Sequence, residues 1–85
     1  MTYARRVDST QSEIVKALRK VGCYVKVIGQ PLDLLCYARG RMFLADAKSQ
    51  YGKMTKAQAE FVASFPGEVY FWKTPEQAVR DATKC

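Results

Sequence analysis

Two apolar runs joined by Arg39-Gly40 constrain the fold of this chain more than any other feature of its sequence. The runs are DLLCYA (residues 33–38) and RMFLADAK (residues 41–48). A two-residue turn that contains glycine, placed between two such runs, is typical of a β-hairpin. The sequence therefore predicts two antiparallel strands joined by a tight turn.

The length of this turn decides which residues of the hairpin lie opposite each other. If the turn has two residues, opposed residues have numbers that sum to 79, so Asp33 faces Asp46. Lys48 shares their face because side chains alternate along a strand. A three-residue loop with a bulge would shift the pairing by one residue, although the two carboxylates would stay neighbours.

Opposed carboxylates need an explanation, because like charges with Cβ atoms about 5 Å apart destabilise a strand pair. A divalent cation that bridges the two carboxylates supplies one, and oxygen ligands suit Mg²⁺. A structural explanation is also open, in which Asp46 and Lys48 form an ion pair at a strand end and Asp33 is a turn residue after Pro31. The spacing alone does not decide between them.

The remaining patterns predict three helices and two further strands. The helices are expected at residues 9–21, with Ser9 or Thr10 as N-cap and Gly22 as the stop, at residues 55–65, and after Thr74-Pro75. The strands are expected at residues 23–28 and 68–73. The result is one α/β domain, residues 1–85, with element order α-β-β-β-α-β-α and a mixed central sheet flanked by helices. The strand EVYFWK is apolar on both faces, which fits an interior strand or a dimer contact.

Composition limits the chemistry. Fourteen Lys and Arg against eight Asp and Glu give a net charge of +6, which suits a polyanionic partner such as nucleic acid. The chain has no histidine, which excludes Ser-His and Cys-His nucleophilic catalysis and zinc sites that contain histidine. The three cysteines fit no metal spacing and are expected to be buried or incidental thiols.

The location of the protein is predicted from its apolar runs. None approaches the ~18 residues of a membrane span, and the first residues are polar. We expect a cytoplasmic protein with no membrane partner, in the host cytoplasm if the source is viral.

The ordered set QPLD, then DAK, then MTKAQ at the start of a helix resembles the PD-(D/E)XK nuclease superfamily. It is more closely similar to the small stand-alone VRR-NUC (virus-type replication-repair nuclease) domains, over nearly the whole chain. The chain departs from the family pattern by the inserted Leu32 and by Asp46 in place of the usual Glu. The resemblance implies a restriction-endonuclease-like core and a Mg²⁺- or Mn²⁺-dependent endonuclease.

The resemblance also implies roles for single residues. Asp33 and Asp46 would be metal ligands with the main-chain carbonyl of Ala47, and Lys48 would orient the attacking water or offset charge on the phosphate. Glu13 would join the metal site, although Thr10-x-x-Glu13 also matches a capping box. Gln58 would lie near the lysine, although Thr55-x-x-Gln58 also matches a capping box.

The expected substrate is DNA. Basic residues that would contact phosphates lie on or before the first helix and around the YGKM loop: Arg5, Arg6, Lys16, Arg19, Lys20, Lys53 and Lys56. Tyr51 would stack on a base or pack on the surface. We expect a homodimer that selects branched DNA, such as a Holliday junction, in recombination, repair or phage replication. The rivals are a catalytically inactive DNA-binding module on the same scaffold and a small basic interaction protein.

Overall fold

A computed structural model describes residues 2–48 and 52–84 of the chain, with side chains from residue 10 onward in those ranges. Within them the elements follow in the order α1 (Thr2–Lys20), β1 (Tyr24–Val27), β2 (Leu34–Ala38), β3 (Arg41–Ala47), α2 (Lys56–Ser64), β4 (Glu68–Trp72) and α3 (Pro75–Thr83). The sheet order is β1-β2-β3-β4, with β4 parallel to β3 and the other pairs antiparallel. The predicted α/β class with a mixed sheet is confirmed.

The β2–β3 hairpin has the register expected for a two-residue turn. Leu34 lies opposite Ala45, and Ala38 lies opposite Arg41. The turn residues Arg39 and Gly40 have φ values of 54° and 79°, and two positive φ values in succession are what a type I′ hairpin turn requires. The pairing ends at Leu34, so the next residue toward the N-terminus, Asp33, lies where the ladder stops.

The first helix starts earlier than its sequence predicts. α1 begins at Thr2, so Ser9 and Thr10 lie inside the helix and neither is its N-cap. The capping-box explanation of Glu13 is therefore wrong. Ser and Thr are favoured at caps because their hydroxyls bond nearby backbone groups, but the same residues are tolerated inside a helix that continues on either side.

The predicted stop of α1 at Gly22 is confirmed. Gly22 has a φ of 92°, and its N–H donates to the carbonyl of Arg19 at 3.1 Å, while the N–H of Cys23 donates to the carbonyl of Leu18 at 3.0 Å. These two bonds form a Schellman motif, which satisfies carbonyls that a helix end leaves without partners.

The interpretation of the EVYFWK segment as an interior strand is wrong. β4 is an edge strand of the described sheet. Its Trp72 is buried in the core and Tyr70 packs against that core, whereas Val69 and Phe71 are half-buried on the other face. A strand can thus be apolar on both faces because both faces are partly covered, although only one edge is paired.

The core lies on one face of the sheet, beneath α1 and α3, which pack against each other. Its largest side chains include Ile14 and Leu18 from α1, and Phe43 and Trp72 from the strands. Since side chains alternate along a strand, Met42, Leu44 and Asp46 point to the opposite face. We call this opposite face the second face, and its other strand residues are Tyr24, Lys26, Leu35, Tyr37, Val69 and Phe71. Among the described residues, no helix is long and apolar enough to cross a membrane.

Two of the three cysteines are buried free thiols, as expected. Burial raises the pKa of Cys23, and burial together with the nearby Cys23 raises the pKa of Cys36 to about 12. A thiol with a raised pKa is poorly nucleophilic, so neither residue offers an alternative catalytic group. Cys85 lies outside the described residues.

Arg41 ties β3 to β4 and to the end of α3. Its Nη2 lies 3.0 Å from Oε1 of Glu68, and hydrogen bonds from the guanidinium lower the pKa of that carboxyl. It also donates to the hydroxyl of Tyr70 and to main-chain carbonyls at the end of α3, those of Asp81, Ala82 and Lys84. These are acceptors that the last turn of a helix leaves free.

We expect Arg41→Lys to lower the midpoint of urea unfolding, because one ammonium group cannot replace the planar fork of the guanidinium. Arg80→Lys is the matched control, since the Arg80 side chain is 71% exposed, and it should leave the midpoint unchanged. Equal midpoints for the wild type and Arg41→Lys would show that the contacts of the Arg41 guanidinium add nothing to stability.

Candidate functional site

The two aspartates of the predicted site meet at the end of the hairpin and exchange hydrogen bonds. The N–H of Asp33 donates to Oδ1 of Asp46 at 2.9 Å, and the N–H of Ala47 donates to Oδ2 of Asp33 at 3.1 Å. At this position the backbone N–H groups bond to carboxylate oxygens, whereas in a regular strand pair they would bond to backbone carbonyls. The exchange extends the strand pairing by one residue beyond Leu34 and fixes both carboxylates.

Lys48 joins the pair of carboxylates on the second face. Its Nζ lies 2.8 Å from Oδ2 of Asp46, and the Asp46 residue is only 2% exposed. The ammonium also lies 5.8 Å from the ring centre of Phe71. A carboxylate this deeply buried requires a paired charge, and Lys48 provides it.

Gln58 connects Lys48 to the start of α2. Its Oε1 accepts a hydrogen bond from Nζ of Lys48 at 2.7 Å and another from the N–H of Thr55 at 3.2 Å. Its own N–H donates to Oγ1 of Thr55 at 3.1 Å, which completes a capping box. The capping role and the contact with the lysine are thus compatible, because an amide oxygen has two lone pairs.

Asp33 is held by the loop that precedes it. The carbonyl of Asp33 accepts hydrogen bonds from the N–H groups of Ile28 and Gly29, at 2.8 and 3.2 Å. Leu32 is fully buried, and the peptide bond before Pro31 is cis. The buried side chain of Leu32 therefore packs directly before Asp33, which lies at the end of the hairpin.

The electrostatic environment disfavours the charged form of Asp33. Burial raises the pKa of its carboxyl, and the negative charge of Asp46 raises it further, whereas the N–H of Ala47 and the charge of Lys48 act in the opposite direction. The net result is a raised pKa. A bound cation would act against both causes of the increase.

The donor set fits a hard divalent cation. Each carboxylate offers about four lone-pair sites, and the hydrogen bonds and ion pair described above occupy two on Asp46 and one on Asp33. The N–H and C=O of one strand residue lie on the same side of the strand, so we infer that the carbonyl of Ala47 faces the side on which its N–H bonds to Asp33. Two carboxylates and a carbonyl suit Mg²⁺ or Mn²⁺, which keep water as their other ligands.

Glu13 is not part of this donor set. It is exposed on α1, and among the described residues no group of three His, Cys, Asp or Glu side chains is placed to hold a metal. The resemblance implies that Glu13 joins the metal site, but the structure does not bring Glu13 to the aspartate pair.

A cleft of about 400 Å³ opens beside Gln58. It lies between the loop at residues 29–31 and the first turn of α2, and Thr55 and Ala57 also line it. The free N–H groups and the dipole at a helix N-terminus favour an anion. The cleft thus presents a surface suited to a phosphate next to the carboxylate–lysine cluster.

The basic residues expected to contact DNA are spread over two regions. Lys16 and Arg19 line a groove of about 420 Å³ that includes Val27, and Arg19 also donates to the carbonyl of Val25 at 2.9 Å. Lys20, Lys53 and Lys56 are exposed. The side chains of Arg5 and Arg6, and the whole of Tyr51, lie outside the described residues.

Sequence reasoning missed Phe71, which lies opposite Asp46 in the β3–β4 pairing and beneath the Lys48 ammonium. Its position depends on the register of a parallel pair, which no turn fixes. No family model, curated protein or solved structure matches the chain. The function is therefore inferred from the geometry of the cluster and from the resemblance in its motifs.

We expect Lys48→Met to lower the free energy of unfolding by about 3 kcal/mol in EDTA, because it leaves Asp46 buried without a partner charge. Lys53→Met is the matched control, since Lys53 is exposed, and it should change this free energy by less than about 0.5 kcal/mol. Urea unfolding measures both. Similar values for the two variants would mean that the ion pair does not stabilise the fold.

Asp33→Asn should have the opposite effect. When the pKa of a carboxyl is higher in the folded than in the unfolded protein, the free energy of unfolding falls as pH rises through the interval between the two pKa values. Asparagine removes this loss, and its amide oxygen can still accept from Ala47. In EDTA we expect the variant to exceed the wild type in stability at pH 7 and to match it near pH 3. A variant less stable at neutral pH would contradict the raised pKa.

Proposed function

We propose that this protein is a metal-dependent endonuclease that hydrolyses phosphodiester bonds in DNA. One observation carries the proposal: two neighbouring carboxylates, a lysine and a glutamine form a single hydrogen-bonded cluster beside a cleft at the start of α2. The chain lacks histidine, so this cluster is also the one hydrolytic arrangement that its composition readily allows.

The metal would be Mg²⁺ or Mn²⁺, held by Asp33, Asp46 and the carbonyl of Ala47. Bound there, it would supply Lewis-acid stabilisation of a phosphate oxygen and lower the pKa of a water. Burial and the charge of Asp46 raise the pKa of Asp33, and a bound cation would favour the charged form of this carboxylate. The buried Asp46 contributes a fixed position, because both of its oxygens are already oriented by hydrogen bonds.

Lys48 would act on the substrate side of the cluster. Its ammonium carries three donors, and Asp46 and Gln58 engage two of them. The third can be directed at a phosphoryl oxygen or at the attacking water, where a fixed positive donor offsets developing negative charge. Gln58 is a positioning residue in this scheme, because it acts through the lysine.

The proposed fold is a restriction-endonuclease-like core of the VRR-NUC type. The order of elements, the hairpin that carries both aspartates and the helix that presents Gln58 support it. The proposed substrate, DNA, is supported by the net charge of +6 and by the exposed lysines near the cluster. A preference for branched DNA such as Holliday junctions and a homodimeric state rest on the resemblance and on the small size of the chain.

A second candidate is a catalytically inactive DNA-binding module on the same scaffold. The observation that favours it is the short contact of Lys48 with Asp46, because the Asp46 residue is almost fully buried. In this case the ion pair only stabilises the end of β3, and DNA binding needs no metal.

Cleavage of labelled DNA separates the two candidates. A four-way junction and a linear duplex of matched sequence are incubated with Mg²⁺ or Mn²⁺, and with EDTA. We expect metal-dependent cleavage that falls in Asp46→Asn by on the order of 10²-fold or more, the scale on which single electrostatic groups act in active sites. Glu60→Gln, which changes an exposed acid on α2, should cleave as the wild type does.

The outcome for the second candidate is equally definite. DNA that is bound in EDTA and remains intact in both metals, with equal binding by the wild type and Asp46→Asn, would exclude the nuclease. The ratio of junction to duplex cleavage tests the preference for branched substrates.

A further inference from the structure

A row of exposed side chains crosses the second face at the end of the sheet near the hairpin turn. Tyr24 lies opposite Tyr37, and Tyr37 lies opposite Met42. Their exposed fractions are 58%, 48% and 66%. We call these three residues the tyrosine row. An exposed apolar patch of this kind on a small domain indicates a binding surface.

The two tyrosines form a platform with free ring faces. Directly opposed residues of an antiparallel pair have Cβ atoms about 5 Å apart. The aromatic contacts among the described residues join Phe43, Tyr70 and Trp72, and separately Phe61 and Phe65. Neither tyrosine of the row takes part in these contacts, so both rings are available to a planar ligand.

The charge around the tyrosine row favours a polyanion. Apart from Asp46 inside the cluster, Lys26 is the one charged strand residue of the second face in the described sheet. The carboxylate of Glu68 is bound by Arg41 through Nη2 at 3.0 Å. With a net charge of +6 on the chain, a ligand that combines planar bases with phosphates is complementary to this surface.

The row and the carboxylate cluster belong to one face and lie a short distance apart. Met42 and Asp46 are four residue steps apart along β3, which corresponds to about 13 Å at the rise of a strand. Stacked nucleotides advance about 3.4 Å each, so about four of them span this distance. One nucleic-acid strand can therefore reach both regions at once.

We propose that the tyrosine row binds unpaired nucleotides that flank the phosphodiester in the carboxylate cluster. This inference rests on the proposed nuclease function, and among branched DNAs it favours those with a single-stranded segment over a fully paired four-way junction. Bases within a duplex have their faces covered by neighbouring pairs, whereas unpaired bases can stack on aromatic side chains. Tyr24 and Tyr37 stack on the bases, and Lys26 contacts the backbone.

Binding in EDTA tests the row without any need for catalysis. Fluorescence anisotropy is measured for a labelled oligothymidylate and for a blunt duplex. We expect Tyr24→Ala and Tyr37→Ala each to weaken binding of the single strand by about fivefold or more, and to leave duplex binding unchanged. Tyr24→Phe and Tyr37→Phe should retain wild-type affinity, because phenylalanine keeps the ring. Met54→Ala, at another exposed apolar residue, is the control for a general loss of apolar surface.

Three results would overturn the proposal. The first is binding by the alanine variants that equals that of the wild type. The second is an equal loss of single-strand and duplex binding. The third is self-association of the wild type in sedimentation velocity that the same variants abolish. The last result would mean that a second copy of the chain covers the row. Because the phenylalanine variants keep the shape of the surface, they distinguish lost stacking from an altered fold.

The tests of the two proposals have separate outcomes. If single-strand binding depends on the tyrosines and neither metal supports cleavage, the nuclease proposal is rejected and the proposed role of the tyrosine row is supported. If cleavage depends on metal and the tyrosine variants bind single strands normally, the nuclease proposal is supported and the proposed role of the tyrosine row is rejected.

Discussion

The structure depends on how two carboxylates are accommodated at the end of one hairpin. Asp33 and Asp46 would repel each other, yet the backbone N–H of Asp33 bonds to Asp46 and the N–H of Ala47 bonds to Asp33. Lys48 supplies the compensating charge at 2.8 Å. Each acid is thus stabilised by a backbone N–H of the opposite strand, and burial, together with the repulsion that remains from Asp46, raises the pKa of Asp33. A site of this kind is stable but retains an electrostatic bias toward cations.

The layers of the fold explain why the cluster lies where it does. α1 and α3 cover one face of the sheet and take up most of the apolar side chains. The second face is left with the polar cluster at one end, the tyrosine row at the other and half-buried Leu44 and Val69 between them. A small domain with one helical layer can in this way support a core and still present a long strand surface to a ligand.

The sequence predicts the parts of this arrangement that local chemistry determines. Arg39-Gly40 fixes the hairpin register, and Thr55-x-x-Gln58 fixes the start of α2, so both predictions are confirmed. The predicted start of α1 is wrong, because cap-forming residues also occur within helices. The edge position of β4 and the contact of Phe71 depend on long-range pairing, for which the chain carries no local signal. Glu13 was assigned from the resemblance, and its distance from the aspartates depends on how α1 packs, which a motif does not encode.

The capping box of α2 has a consequence that extends beyond the helix. One oxygen, Oε1 of Gln58, accepts from both the first backbone N–H of the cap and the Lys48 ammonium. When the first turn of α2 frays, Gln58 moves away and the lysine loses one of its two polar anchors. Local unfolding of this nine-residue helix is therefore coupled to the rotamer freedom of the half-buried Lys48. Any ligand that binds at the N-terminus of α2 also orders the lysine, and it does so without direct contact.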